Sequence, residues 1–335
     1  MSQPIIISAS PHVHSAKTSK KVMYDVVIAL IPAFLVSLYV FGISALILTA
    51  VAVASCLLFE YLIQKYVLKS EITIGDGSAL ITGILLAFNL PAGLPIWMIL
   101  VGSLVAIGIG KMSFGGLGFN IFNPALVGRV FLLVSFPVQM TMWPTAVENN
   151  TSIADAVTGA TPLGLIKEGL MFGDTMTTIT ANLPSNMEMF LGISGGSIGE
   201  MSGLALLLGG IYLLARKVIT WHIPITILVT MAVMTGIFWV IDPESYASPL
   251  IHILSGGAIL GAFYMATDMV TSPMTKKGMV IFAVGIAVIT VVIRLFGAYP
   301  EGISFAILIL NAFVPLINTY FKPRRFGSKI KAKIV

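Results

Sequence analysis

Ten apolar runs, each close to the roughly 20 residues that cross a bilayer as a helix, leave this chain few choices of fold. They lie near residues 23 to 41, 43 to 64, 78 to 92, 95 to 110, 119 to 138, 202 to 219, 223 to 241, 249 to 268, 279 to 297 and 302 to 321. Hydrocarbon offers the backbone no water, so each run is expected to satisfy its own amides as a helix. Of 335 residues, 57% are hydrophobic and 10% charged, against roughly 25% charged in a soluble domain. That balance excludes an ordinary water-soluble protein. The first 22 residues are polar and basic and lead into many spans, which is unlike a cleaved signal peptide.

Basic residues orient the spans, because Lys and Arg are held on the cytoplasmic side. With the N-terminus inside, sixteen of the 19 Lys and Arg fall in inner segments, Lys167 alone falls outside, and Arg129 and Arg294 lie within spans. Both termini are then expected to be cytoplasmic. The organisation that follows is a tail over 1–22, a five-span half over 23–138, an extracytoplasmic loop over 139–201, a second five-span half over 202–321 and a basic tail over 322–335. The formal charge of +5 does not point to nucleic acid, since the basic residues sit between apolar runs. A single cysteine, Cys56, excludes a disulfide framework, a thiolate zinc site and an iron–sulfur cluster. The four histidines offer no pair placed for a haem.

Pro91, Gly93 and Pro95 punctuate the third and fourth spans, which are expected to be broken or re-entrant. Residues 77–83 (Gly-Ser-Ala-Leu-Ile-Thr-Gly) also echo residues 255–261 (Ser-Gly-Gly-Ala-Ile-Leu-Gly) at the start of the eighth. Five spans per half is an odd number, so two such halves lie in opposite orientations around a shared pocket. The fold class expected is therefore an all-α integral membrane protein of about ten helices in two inverted halves. Chance similarity between Gly-rich apolar segments accounts for the echo as well.

The loop over 139–201 is acidic and contains Asp155-Ala156-Val157-Thr158-Gly159-Ala160-Thr161-Pro162. Gly159 and Ala160 remove bulk beside Thr161, and Pro162 favours an extended Thr161 and can open a helix. A threonine in that position is also a plain N-cap. Upstream, Asn120 and Asn123 are three apart and would share one face of a helical fifth span, paired either with each other's surroundings or with a ligand. The preceding glycines, Gly115, Gly116 and Gly118, lack the strand and spacing of a dinucleotide fingerprint. Arg129 falls near mid-span, where a cation is costly and marks either function or a buried pair, with Glu60 the nearest acidic candidate. Asp25, Glu60, Asp76 and Asp268 fall toward the cytoplasmic ends of spans, as the mouth of a cation path or as caps and lysine partners. Arg294 lies near the outer end of its span, within snorkelling reach of the interface.

Asp-x-x-[Ser/Thr]-Gly-Ala-Thr, matched by Asp155, Thr158, Gly159, Ala160 and Thr161, resembles the flavinylation motif of the NqrB/RnfD family. With ten spans and the motif in an outer loop, nearly the whole chain is similar to that family, and its short N-terminus matches the RnfD branch. The resemblance implies FMN esterified through its phosphate to Thr161 by a flavin transferase. It also implies a non-covalent riboflavin near Asn120 and Asn123, with Arg129 set to stabilise a reduced flavin. Further implied is a place in an Rnf ferredoxin:NAD oxidoreductase complex beside the RnfA, RnfB, RnfC, RnfE and RnfG subunits, coupled to Na+ or H+ export. The chain carries no ferredoxin cluster site and no NAD fingerprint, so those reactions belong to partners. The alternative is a solute channel or secondary transporter of inverted-repeat architecture, which the fold alone would serve as well. A channel, however, does not need the Thr161 motif.

Overall fold

The computed structural model describes residues 18–144, 158–192 and 195–322. The ten apolar runs form ten helical segments. The first, Ser19–Phe41, starts where the Thr18 hydroxyl accepts from the Lys21 amide at 3.3 Å. Gly42, at φ +57, turns the chain into the second, Ile43–Leu62, which runs on through a π-turn over Ile63–Leu68. The third is only Ser78–Phe88, and the fourth, Ile96–Leu104, also ends in a π-turn, Val105–Ile109. The fifth is Pro124–Ser135 and the sixth Gly203–Ala215. His222–Ile241 is the seventh, and Lys276–Phe296 and Ile303–Tyr320 are the ninth and tenth. Among the described residues six helices are long and apolar enough to cross a membrane on length and composition, and the chain is a multi-pass all-α membrane protein.

The third and eighth spans are not full-length helices, the third in keeping with its punctuation by Pro91, Gly93 and Pro95. At about 1.5 Å per residue, the 11-residue third helix reaches only about halfway across the bilayer core. The eighth, expected as one run, is split into Pro249–Leu254 and Ala258–Leu260 with a π-turn over Gly261–Met265. Its break lies at Gly256 and Gly257, whose φ values of +64 and +66 favour glycine. Gly77, at φ +85, likewise precedes the third helix. The structure therefore aligns Gly77 with Gly257, two positions away from the register of the sequence echo.

Packing repeats between the two sets of five. The second span packs on the third and fourth, as the seventh packs on the eighth and ninth. The fourth lies against the fifth as the ninth lies against the tenth. First packs on sixth and fifth on tenth, the two self-related contacts that a pseudo-two-fold relation between the halves generates. Gly209 of the sixth span makes the first of these close, because a Cβ there would stand 1.9 Å from the Ala29 carbonyl oxygen. Outward faces stay apolar, as at Leu35, Val229 and Val233, which suits a lipid surround.

Between the halves, Pro162–Phe172, Met176–Ala181 and Asn186–Leu191 form short helices. A two-residue antiparallel bridge pairs Trp143 with Gly159 and Pro144 with Thr158, anchoring the chain just before Thr161. Leu163, Ile166, Met176, Ile179 and Met189 bury a small core against Ala247 and Ile251, so this region sits on the first piece of the eighth span.

Candidate functional site: an outer threonine and an inner cavity

Thr161 is the N-cap of the Pro162–Phe172 helix. Its extended backbone (φ -64, ψ 158) is the one Pro162 favours, and its Oγ1 accepts from the Gly164 amide at 3.1 Å. The residue is buried, at 2% exposure. The hydroxyl oxygen therefore points at the helix-terminal amides. Gly195 adds no bulk nearby, and even a Cβ there would meet only the Ala160 carbonyl, at 3.6 Å. Of the other motif residues, Thr158 and Gly159 lie in the bridge and Ala160 follows it, while Asp155 lies outside the described residues.

The helix bearing Thr161 is held from two directions. Leu163 lies over the break in the eighth span, so that a Cβ on Gly256 would come within 2.5 Å of its Cδ1. Lys167 donates to the carbonyls of Gly297 and Tyr299 in the link between the ninth and tenth spans, and burial pushes its pKa below the ordinary lysine range.

Two arginines stand where the sequence placed them but with other partners. Arg129 donates to Glu301 and to the Ser304 hydroxyl, tying the fifth span to the tenth. It does not meet Glu60, whose carboxylate is 2.6 Å from the Lys111 ammonium. Arg294 does not snorkel. Only 6% exposed, it donates to the carbonyls of His252, Ser255 (3.1 Å) and Gly256 (2.9 Å), satisfying backbone that the break leaves without helical partners. Glu301 and Glu200 escaped the sequence reading. Glu200 accepts from the Ser197 amide at 3.0 Å and lies beside Gly257. The one signal for Glu301 was that a mid-span Arg129 requires a carboxylate.

On the other side of the break lies a cavity of about 90 Å³ lined by Lys111, Asn120, Asn123, Ser78, Thr82, Phe263, Tyr264 and Asp268 among others. It brings Asn120 and Asn123 together, though not through a shared helix face. The fifth helix begins at Pro124, five residues later than expected, because Asn123 caps it: its Oδ1 accepts from the Ala125 and Leu126 amides at 3.1 and 3.4 Å. Asn123 Nδ2 donates to Met265 O at 3.3 Å, and Asn120 Nδ2 donates to Phe122 O at 3.1 Å from the turn before the helix. With its amide turned to donate to Thr271 O and Ile307 O, Asn311 of the tenth span accepts from the Asn123 backbone N–H at 3.2 Å. Replacing Asn123 by Ala removes a cap and a tie to the eighth span, and is expected to cost roughly 1–2 kcal/mol, read as a lower unfolding midpoint in detergent. A wild-type midpoint would show that these bonds carry no net stability.

The four acidic residues considered for a cation path have structural partners here. Asp25 pairs with Arg216 at 3.3 Å and accepts from Tyr212. Asp76 accepts from the Ser78 amide and hydroxyl, and Asp268 from the Val270 amide and Thr271 hydroxyl. Glu60 faces Lys111 and Gln64.

One span thus connects the two places. Its break carries Arg294 and Leu163, and further along the same span its Met265 carbonyl receives Asn123 at the cavity wall. Against known families, residues 6–327 match the NQR2, RnfD, RnfE family. The chain belongs to that family. It is 46% identical over 330 residues to the D subunit of the Na(+)-translocating ferredoxin:NAD(+) oxidoreductase complex of Acetobacterium woodii, covering 98% of this chain and 97% of that protein. To the D subunit of the proton-translocating ferredoxin:NAD(+) oxidoreductase complex of Clostridium ljungdahlii it is 44% identical, over 96% of each chain. The D subunit of the ion-translocating oxidoreductase complex of Stutzerimonas stutzeri is 39% identical, over 93% of each.

Proposed function

We propose that this chain is a membrane electron-transfer subunit of an Rnf-type complex, carrying FMN esterified to Thr161 and riboflavin in the inner cavity. In this reading the complex passes electrons between reduced ferredoxin and NAD and exports Na+ or H+. Its partners are the RnfA, RnfB, RnfC, RnfE and RnfG subunits, and a flavin transferase matures it. The chain would reside in the prokaryotic inner membrane with both termini cytoplasmic and residues 139–201 outside. Family membership and the named relatives support the assembly. The observation that carries the flavin assignment is Thr161 itself, a motif threonine buried at a helix N-terminus with its oxygen directed at free-end amides.

An esterified flavin takes and passes one or two electrons. The residues shown here position it. The Pro162–Phe172 amides would receive phosphate oxygens, Leu163 fixes the helix on the eighth span, and Lys167 fixes its other side. The inner cavity fits a flat ring in its apolar flanks, Ile81, Leu85 and Phe263, and in the amides of Asn120 and Asn123.

The function is tested in inverted vesicles holding the complex with wild-type chain or Thr161→Ala, supplied with reduced ferredoxin and NAD. Wild-type vesicles should form NADH and accumulate Na+ or acidify, with ionophores telling the two ions apart. The variant should lose both by at least about a hundredfold while the complex stays assembled, since a lost N-cap costs only about 1 kcal/mol. Undiminished NADH formation in the variant would remove Thr161 from the electron route and restore the transporter alternative.

A further inference from the structure

Lys111 is buried, at 2% exposure, and it lines the inner cavity. Its ammonium has three N–H donors. Two are engaged, by Glu60 Oε2 and by Ser78 Oγ, each at 2.6 Å. Glu60 is on the second span behind the wall, while Ser78 begins the third helix, lines the cavity itself and donates its own proton to Asp76 Oδ1 at 2.6 Å. The third N–H has no protein acceptor among the described residues.

The rest of the wall sharpens what would meet that donor. Its hydroxyls donate to backbone carbonyls, Thr82 to Ser78 O at 2.9 Å, Thr267 to Phe263 O at 2.6 Å and Tyr264 to Leu206 O at 2.9 Å. The Asp268 carboxylate accepts from Val270 and Thr271. What remains on the polar side includes donors, the third Lys111 N–H and the second amide hydrogens of Asn120 and Asn123, and acceptors, Asn120 Oδ1 and the spare lone pairs of the Asp268 carboxylate. The ligand atom that meets Lys111 has to accept, as a ring carbonyl does. A buried donor left without a partner is costly, so Lys111 favours a carbonyl at its own position in the wall.

We infer that Lys111 is a ligand-contacting residue of the inner cavity, donating its third N–H to a ring carbonyl of the riboflavin-type ligand held there. Glu60 and Ser78 act behind it as positioning residues that fix the ammonium. This rests on the reading that riboflavin occupies the cavity. It also transfers the role expected of Arg129, whose contacts are Glu301 and Ser304, to the cation that does line the cavity.

The test titrates riboflavin into the full-length chain in detergent, stripped of its non-covalent flavin, and follows flavin fluorescence and the infrared carbonyl stretches of the bound ring. Lys111→Met combined with Glu60→Gln removes the ion pair as a unit and so avoids a lone buried carboxylate. It should raise Kd roughly tenfold, the scale of one charge-assisted hydrogen bond, and move a ring carbonyl stretch to higher frequency. Lys111→Arg keeps the charge and should restore part of the affinity with a carbonyl stretch unlike either of the others. If the double variant does not fold, that Arg variant alone decides, since an unchanged Kd and spectrum would overturn the contact. Equal Kd and equal carbonyl stretches in wild type and double variant overturn it too. A wild-type chain that does not bind riboflavin at all sinks the occupancy reading and this inference together, and is distinguishable from a wild type that binds but ignores Lys111.

Discussion

Replacing Arg129 with Met should destabilise the protein by about 3–5 kcal/mol, the usual cost of leaving one member of a buried ion pair alone. Glu301 and Arg129 are 7% and 4% exposed, and the same guanidinium also holds the Ser304 hydroxyl. Removing the arginine therefore strands a carboxylate at the contact between the fifth and tenth spans, one of the contacts on which the halves meet. Arg129→Met with Glu301→Gln should recover most of the loss, because a neutral amide needs no counter-charge. The comparison is made on detergent-solubilised protein by the midpoint of thermal unfolding followed by tryptophan fluorescence. If the single and double variants fall equally, the pair is not the source of the effect. If neither falls, the fifth and tenth spans are held by apolar packing alone.

Gly209→Ala should be as damaging by a different route. A methyl group there would lie 1.9 Å from the Ala29 carbonyl oxygen and 2.2 Å from the Tyr264 hydroxyl. Neither can retreat easily, since Ala29 is helix backbone and the Tyr264 hydroxyl bonds to Ala29 O and Leu206 O at 3.2 and 2.9 Å. The first and sixth spans must move apart, losing those bonds and their packing, at a cost of about 3 kcal/mol or more. Gly236→Ala in the seventh span is the control, because its Cβ would meet only Pro249 Cγ at an ordinary 3.5 Å. Yield of monodisperse protein and unfolding midpoint should fall for Gly209→Ala and stay near wild type for Gly236→Ala. Equal behaviour of the two would mean that the first–sixth contact is looser than its glycine implies.

The spans were legible in the sequence because lipid imposes one requirement, a run of apolar residues long enough to cross, which six helices among the described residues meet in full and shorter apolar helices in part. The halves were legible only weakly. Their echo lies in residues 77–83 and 255–261, yet the geometry aligns Gly77 with Gly257, since a left-handed glycine fixes a helix start more firmly than neighbouring apolar identities do. Thr161 stood out through its motif, and its local conformation follows from Pro162. Partners of buried charges were not legible. Arg129 finds Glu301 at a separation of 172 residues, a pairing that no local periodicity encodes, whereas Glu60 was merely the nearest acid in a neighbouring span. Asn120 and Asn123 line one cavity, but not through the shared helix face that their spacing suggests. Asn123 ends up outside the helix because its side chain caps Ala125 and Leu126, and caps compete with helix interiors for the same amides. Lys111 was counted only as a loop cation, because burial of a lysine depends on a partner 51 residues away.

The central claim is that Thr161 carries the flavin. Its most direct test is the intact mass of the full chain and of Thr161→Ala, each produced with the flavin transferase, together with in-gel flavin fluorescence after denaturation. The wild-type chain should gain the mass of FMN less one water and fluoresce in the gel, and the variant should do neither. An unmodified wild-type chain, made beside a control substrate that the same transferase does modify, would contradict the claim.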